Sequence, residues 1–189
     1  MTEAWMKKLT KQDRLDSVYM EFALSLATLS HCVRNQVGTV ITVNNKVVAT
    51  GYNGSPPGYE NCDTHFDEKI EEMIQEYEDA NLIPLFYTLD HKRSFVLETD
   101  EFKQIHGEWS KREIHAEMNA ILQAAKSGTC LNGGTVYVSL APCIDCAKAV
   151  VVSGISRIVY ARDYERDSGL GKAFLLENGV KVEKFDAGS

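Results

Sequence analysis

Positive charge is scarce in this chain. Lys and Arg number 20 against 27 Asp and Glu, giving a formal net charge of -7. Polynucleotide grooves are lined with clustered Lys and Arg, because phosphate contacts supply most of the affinity. The acidic balance therefore speaks against DNA or RNA as a partner, although a single nucleotide needs only a local basic pocket. Long apolar runs are missing as well. No stretch approaches the roughly 20 apolar residues that a membrane-spanning helix needs. The first residues, with Glu3, Lys7 and Lys8 in a short polar run, hold no apolar core of a secretory signal. A disulfide framework is also absent: the cysteines number five, an odd count. Two of them sit at metal-ligand spacing, so a reducing cytoplasm is expected rather than an oxidising compartment. There is no internal repeat and no low-complexity segment. The length suits a single domain with a proper core.

The chemistry is concentrated in two short motifs, His115-Ala116-Glu117 and Pro142-Cys143-Ile144-Asp145-Cys146. Catalytic zinc keeps three protein ligands and leaves its fourth position to water. His115, Cys143 and Cys146 supply three ligands, and Glu117 can reach that water without binding the metal. Bound zinc lowers the pKa of its water to about 7, which provides hydroxide at neutral pH. A carboxylate beside it can take the proton, then deliver protons to a ring nitrogen and a leaving amine. Other readings are blander. A lone Cys-x-x-Cys can be a redox pair, but those follow the first strand of a thioredoxin-like unit, and this pair lies late in the chain. A structural zinc ribbon needs a second Cys pair at similar spacing, and none is present. The combination of His-x-Glu with Pro-Cys-x-x-Cys is the recorded signature of zinc nucleobase deaminases.

Periodicity places these motifs on elements. Leu15, Val18, Tyr19, Phe22, Leu26 and Leu29 recur at helical spacing and predict an amphipathic helix over 13–30. Two β-branched runs, 37–43 and 46–51, flank Asn44-Asn45 and predict a hairpin. Residues 51–58, rich in Gly, Pro and Asn, form a loop. An acidic surface helix is expected over 67–81, and a strong helix over 112–127 carries His-x-Glu near its start. A loop (128–134), a strand (135–140), a helix (144–153), a strand (157–161), a helix (168–178) and a strand (180–185) follow. Such alternation predicts an α/β fold, a three-layer α/β/α sandwich with a mixed central sheet of about five strands. Cys143 and Cys146, three apart, share a helix face. Two helix N-termini would then turn their positive dipole ends toward the metal.

The segments Val37-Gly38-Thr39-Val40-Ile41, Gly51-Tyr52-Asn53-Gly54-Ser55-Pro56, His115-Ala116-Glu117-Met118-Asn119-Ala120-Ile121 and Pro142-Cys143-Ile144-Asp145-Cys146-Ala147-Lys148 together resemble the deoxycytidylate (dCMP) deaminase family, within the cytidine deaminase-like fold. The long stretch 61–111, ending in His106-Gly107-Glu108-Trp109-Ser110, looks most like its virus-encoded members. The resemblance implies one domain over 1–189 with an insertion at about 61–111. It implies hydrolysis of dCMP to dUMP and ammonia, supplying dUMP for thymidylate synthesis. Zinc would be held by His115, Cys143 and Cys146, with Glu117 as proton shuttle. Asn53 would hold the sugar hydroxyl, the backbone around Ala116 and Ala141 would help read the base, and Tyr164 would close over the nucleotide. For Asn53 a turn residue of positive φ is the competing reading, and for Tyr164 a half-buried aromatic. The phosphate needs a cation or a backbone nest, and Arg34 and Arg162 are the candidate cations.

The same resemblance implies a homo-hexamer activated by dCTP with magnesium and inhibited by dTTP, with Gly51, Tyr52 and Gly54 at the effector site. It also suggests a second, structural zinc on Cys32, Cys62 and His106, with His65, His31 or Glu108 as fourth ligand; the alternative is two buried thiols and surface histidines. Cys130 is expected to be a spectator. Deaminases of cytidine, guanine or tRNA adenosine remain alternatives on the same scaffold, as does a catalytically silent nucleotide sensor. Glu117, which a silent scaffold would have lost, is intact.

Overall fold

The computed structural model of the chain describes residues 10–164 and 168–186. In chain order the elements are α1 (Lys11–Ala27), β1 (Gly38–Val43), β2 (Lys46–Tyr52), α2 (Cys62–Asp79), α3 (Leu89–Glu98), α4 (Asp100–Trp109), a 3₁₀ turn (Ser110–Arg112), α5 (Ala116–Lys126), β3 (Thr135–Leu140), α6 (Ile144–Val152), β4 (Arg157–Arg162), α7 (Leu170–Glu177) and β5 (Lys181–Lys184). The described residues fall into two compact units. One lies within Met1–Leu29, Val37–Tyr52 and His115–Ser189, and the other comprises Ser30–Gln36 and Asn53–Ile114. The second unit is wider than the 61–111 insertion expected from the sequence. Among the described residues no helix is long and apolar enough to cross a membrane.

The first unit is built on a five-stranded sheet of order β2-β1-β3-β4-β5. β1 runs antiparallel to β2 and β3, while β3, β4 and β5 run parallel. Asn44 and Asn45 turn the β1–β2 hairpin with φ of 50° and 58°, the left-handed pair that a two-residue type I′ loop needs. α1 covers one face over Met20, Ala23, Val40, Tyr137 and Val159. On the other face Ala116, Ala120, Ala147, Val150 and Leu175 of α5, α6 and α7 pack onto Ile41, Val136, Val138 and Ile158. This is the expected α/β/α arrangement with its mixed sheet.

α1 departs from expectation. Its buried residues are Asp16, Met20, Ala23 and Ala27, whereas Val18, Phe22 and Leu29 of the predicted apolar stripe are exposed. Close approach explains the inversion. A Cβ on Gly38 would stand 2.1 Å from the Ala23 carbonyl oxygen, so only the small-residue side of α1 fits against β1. The buried charge on that side is neutralised by distant sequence. Arg157 at the start of β4 donates to Asp16 Oδ1 at 2.8 Å and Oδ2 at 2.6 Å, and to Glu183 Oε2 at 2.5 Å. The Tyr137 hydroxyl also donates to Asp16, at 2.7 Å.

In the second unit α2 and α4 close over Phe66, Ile70, Met73, Val96, Phe102 and Trp109. α2 begins earlier than predicted, at Cys62. α3 and α4 lie in a stretch to which sequence patterning assigned no element. Each starts at a threonine: Thr88 Oγ1 accepts from the His91 N–H and Thr99 Oγ1 from the Phe102 N–H, satisfying a donor that a helix start otherwise leaves open.

Candidate active site

His115 and Cys143 occupy equivalent places in the first unit. Each is the N-cap of a helix, α5 and α6, with extended backbone and no side-chain capping bond. This is why α5 starts at Ala116 rather than at 112: the 3₁₀ turn Ser110–Arg112 and an extended link precede it. The imidazole and the thiol are thereby left to face one another. Cys143 Sγ and Cys146 Sγ each lie 3.4 Å from His115 Nδ1, and the three donor atoms are within 4.8 Å of one another. Ligands held at zinc distances of about 2.3 Å for sulfur and 2.1 Å for nitrogen, in tetrahedral array, would be roughly 3.6 Å apart. The donor set, one imidazole and two thiols, also suits zinc. The residues fit the metal both in spacing and in chemistry.

The electrostatics agree. The Cys143 thiol is drawn down to about 4, first by its hydrogen bond with Cys146 and then by His115, against the cost of burial. Cys146 moves the other way, pushed up chiefly by Cys143. One sulfur of the pair is thus readily ionised, which is the form that binds metal. Glu117 is 4% exposed. Burial pushes its carboxyl up to about 7, the range in which a group both takes and returns protons at neutral pH.

The other predicted residues are placed as follows. Ala116 and Ala141 are buried, and the Ala141 N–H donates to the Arg162 carbonyl at 2.8 Å. Tyr164 is half-buried against the α5–α6–α7 core. Arg162 is exposed at the end of β4. Gly51 lies under α5, and the Tyr52 carbonyl accepts from Asn119 Nδ2 at 2.7 Å. In the second unit Gly54 exchanges two backbone hydrogen bonds with Ile114. Asn53 is buried, and its Nδ2 donates to the Asn35 carbonyl at 2.9 Å. The non-glycine residues of positive φ are Asn44, Asn45, Asn81 and Ser168 among those described, so Asn53 is not a left-handed turn residue. Arg34 has a buried Nε that no described acceptor reaches.

The second unit contains its own cluster. Cys32 and Cys62 lie 3.6 and 3.5 Å from His106 Nε2, and all three residues are buried. The Val33 N–H points at Cys62 Sγ and the Asn35 N–H at Cys32 Sγ, each at 3.5 Å. Cys32 is lowered to about 4, first by its hydrogen bond with Cys62, which is raised in turn. His65 is not brought to this cluster. Its Nδ1 pairs with Glu60 at 2.9 Å and its ring stacks on Trp109. His31 pairs with Asp63 at 2.7 Å and Glu108 with Lys111 at 2.6 Å. The carboxylate that registers electrostatically at Cys62 is Glu113, with Oε1 buried. Sequence reasoning passed over it, because an acidic residue two before His115 carries no spacing signal. Cys130 is exposed and belongs to neither cluster.

Comparison with known proteins agrees with this geometry. The family model for the cytidine and deoxycytidylate deaminase zinc-binding region matches residues 13–162. The deoxycytidylate deaminase of Enterobacteria phage T2 is 39% identical over 171 residues, covering 88% of this chain and 89% of its own. That of phage T4 is 37% identical over 174 residues, covering 88% and 87%. The crystal structure of dCMP deaminase from the cyanophage S-TIM5, in complex with dCMP and dUMP, superposes with a TM-score of 0.62 at 24% identity, covering 93% of this chain and 98% of that one. This likeness concerns the fold. With three residues spaced to hold zinc at two helix starts, and sequence matches of this extent, the chain belongs to the cytidine and deoxycytidylate deaminase family.

Proposed function

We propose that this protein is a zinc-dependent dCMP deaminase that converts dCMP to dUMP and ammonia and so supplies dUMP for thymidylate synthesis. The observation that carries the reaction type is Glu117, buried two residues beyond His115 and within hydrogen-bonding reach of Cys146. Zinc held by those three ligands supplies an activated water at neutral pH. Glu117 takes one proton of the attacking water and passes it to the ring nitrogen of cytosine, then takes the remaining proton from the added oxygen and delivers it to the amine, which departs as ammonia. A carboxyl kept near neutrality by burial serves in both directions. The N-termini of α5 and α6 direct their positive dipole ends at the anionic centre.

The choice of dCMP among deaminase substrates is supported by the two phage relatives, both deoxycytidylate deaminases. The acidic balance of the chain weighs against a tRNA substrate. Asn53 for the sugar hydroxyl and Tyr164 closing over the nucleotide follow the resemblance; for the phosphate we favour Arg34 over Arg162, because its buried Nε suits an anion. A second, structural zinc on Cys32, Cys62 and His106 is supported by spacings of 3.5 and 3.6 Å to His106 Nε2, close to a tetrahedral edge. Activation by dCTP with magnesium, inhibition by dTTP, a hexameric assembly and a cytoplasmic setting follow the resemblance alone.

The experiment is ammonia release from dCMP, dCTP, cytidine and guanine in parallel, with the zinc-loaded chain. dCMP should be the preferred substrate by a wide margin. Preference for cytidine or guanine would refute the reading, and zinc binding without turnover of any of the four would favour a silent scaffold.

A further inference from the structure

In the first unit, both ligand-bearing helices start where a glycine admits another backbone. A Cβ on Gly51 would stand 2.3 Å from the Ala116 carbonyl oxygen and 2.7 Å from the Ala120 nitrogen, in the first turn of α5. A Cβ on Gly171 would stand 2.1 Å from the Pro142 carbonyl oxygen, 2.8 Å from the Cys143 carbonyl carbon and 3.0 Å from its oxygen. The second contact falls on the backbone of a metal ligand. Gly171 is buried in the first turn of α7, a helix anchored in the core by Leu175, which is 0% exposed. The atoms it meets are backbone, with no flexible end to swing aside. A side chain there forces α7 to retreat or the Pro142–Cys143 peptide to turn. Cys143 is the N-cap of α6, so turning that peptide swings its sulfur relative to His115 Nδ1, 3.4 Å away.

We propose that Gly171 is a positioning residue for the metal centre. Its missing side chain lets α7 seat against the Pro142–Cys143 peptide and holds the Cys143 sulfur in register with His115 and Cys146. This role presupposes that those three residues bind the catalytic zinc. Gly171 itself touches neither metal nor substrate. Gly38 provides a matched control. There a Cβ would also meet backbone at 2.1 Å, the Ala23 carbonyl oxygen, but on the α1 face of the sheet.

The test compares Gly171→Ala and Gly38→Ala as full chains, with cobalt(II) in place of zinc. The absorption bands that Cys143→Ser abolishes belong to this centre. Gly171→Ala should shift those bands and bind zinc roughly tenfold or more weakly in chelator competition, as expected when the support of a ligand is disturbed. It should lose up to about a hundredfold in kcat on dCMP with little change in KM, the scale for an ångström-sized misplacement. Gly38→Ala should lower the melting temperature while keeping bands, zinc affinity and kcat. A folded Gly171→Ala with unchanged bands and kcat overturns the assignment, and so does an equal shift in Gly38→Ala, which would mean general loosening. Should Gly171→Ala not fold, Leu175→Ala loosens the seat of α7 without adding an atom at Cys143. Shifted bands in that variant support the role and unchanged bands overturn it. A wild-type chain with no cobalt bands sensitive to Cys143→Ser would instead refute the zinc reading on which this role depends.

Discussion

Asp16→Asn tests the ion-pair network that ties α1 to the sheet. Asp16 accepts two hydrogen bonds from Arg157, at 2.8 and 2.6 Å, and one from Tyr137 at 2.7 Å, with side-chain exposures of 12% for Asp16 and 16% for Arg157. Removing one charge of a buried pair typically costs about 3–5 kcal/mol, mostly because the other charge is left desolvated. Arg157 would keep Glu183 at 2.5 Å, and an Asn carbonyl could still accept from Tyr137, so the lower end of about 3 kcal/mol applies. In a chain of this size that is a fall in melting temperature of roughly 6–12 °C. Circular dichroism melts at pH 7, on chains of equal zinc content, give the number. The pH dependence is a second check. Burial alone would raise the Asp16 carboxyl, but its bonds to Arg157, Tyr137 and Gln12 outweigh that and hold it below the usual 3.8. A carboxyl lowered by folding stabilises above its unfolded value and loses that contribution as pH falls through the folded one. The gap between wild type and Asp16→Asn should therefore be constant near neutrality and begin to close below about 3.8; zinc loss in acid affects both chains alike. A fall under about 2 °C at pH 7, or a gap that does not close in acid, refutes the reasoning.

Glu117→Gln should retain zinc and the native melt while losing about 10⁴-fold or more in kcat, since one group serves several proton transfers; near-normal turnover by the zinc-loaded variant would sink the mechanism. At equal low concentration dCMP should outrun cytidine, and Arg34→Ala should remove roughly ten- to hundredfold of that advantage, the worth of a charge-assisted bond, mainly through KM. Equal rates for nucleotide and nucleoside in the wild type would point to a nucleoside deaminase. dCTP with magnesium should steepen the dCMP saturation curve and dTTP should oppose it, because effectors act by binding two states unequally; curves unmoved by a full titration of both remove the regulatory proposal. Elemental analysis should find two zincs per chain. Cys32→Ser should lose one and melt lower, since structural metal binding feeds into folding, while Cys143→Ser should lose the other together with activity. A single zinc per wild-type chain would leave Cys32 and Cys62 as ordinary thiols.

The cluster of His115, Cys143 and Cys146 was legible because its pattern is local. His-x-Glu at one helix start and Cys-x-x-Cys at another fix residue types and spacing within a few positions. The strands were legible for a similar reason: β3 was expected over 135–140 and is Thr135–Leu140, and Asn44-Asn45 turns the β1–β2 hairpin as the dipeptide requires. α3 and α4 were not read, although the threonine caps at Thr88 and Thr99 were there to be used. Their exposed faces blur the apolar period, and Thr99 serves as the end of one helix and the start of the next.

What the sequence determined by itself was the pair of metal-ligand motifs, the strands with the helices between them, and the family, all of which depend on short-range pattern. Tertiary structure decided the matters that depend on which backbones approach. It chose the small-residue side of α1, because Gly38 draws that helix within reach of β1. It paired Asp16 with Arg157 and Tyr137, 141 and 121 residues away. It gathered Cys32, Cys62 and His106 while leaving His65 with Glu60. It also set Gly171 against the peptide of Cys143. Close packing and the pairing of buried charge act between residues far apart in the chain, so no local period announces them.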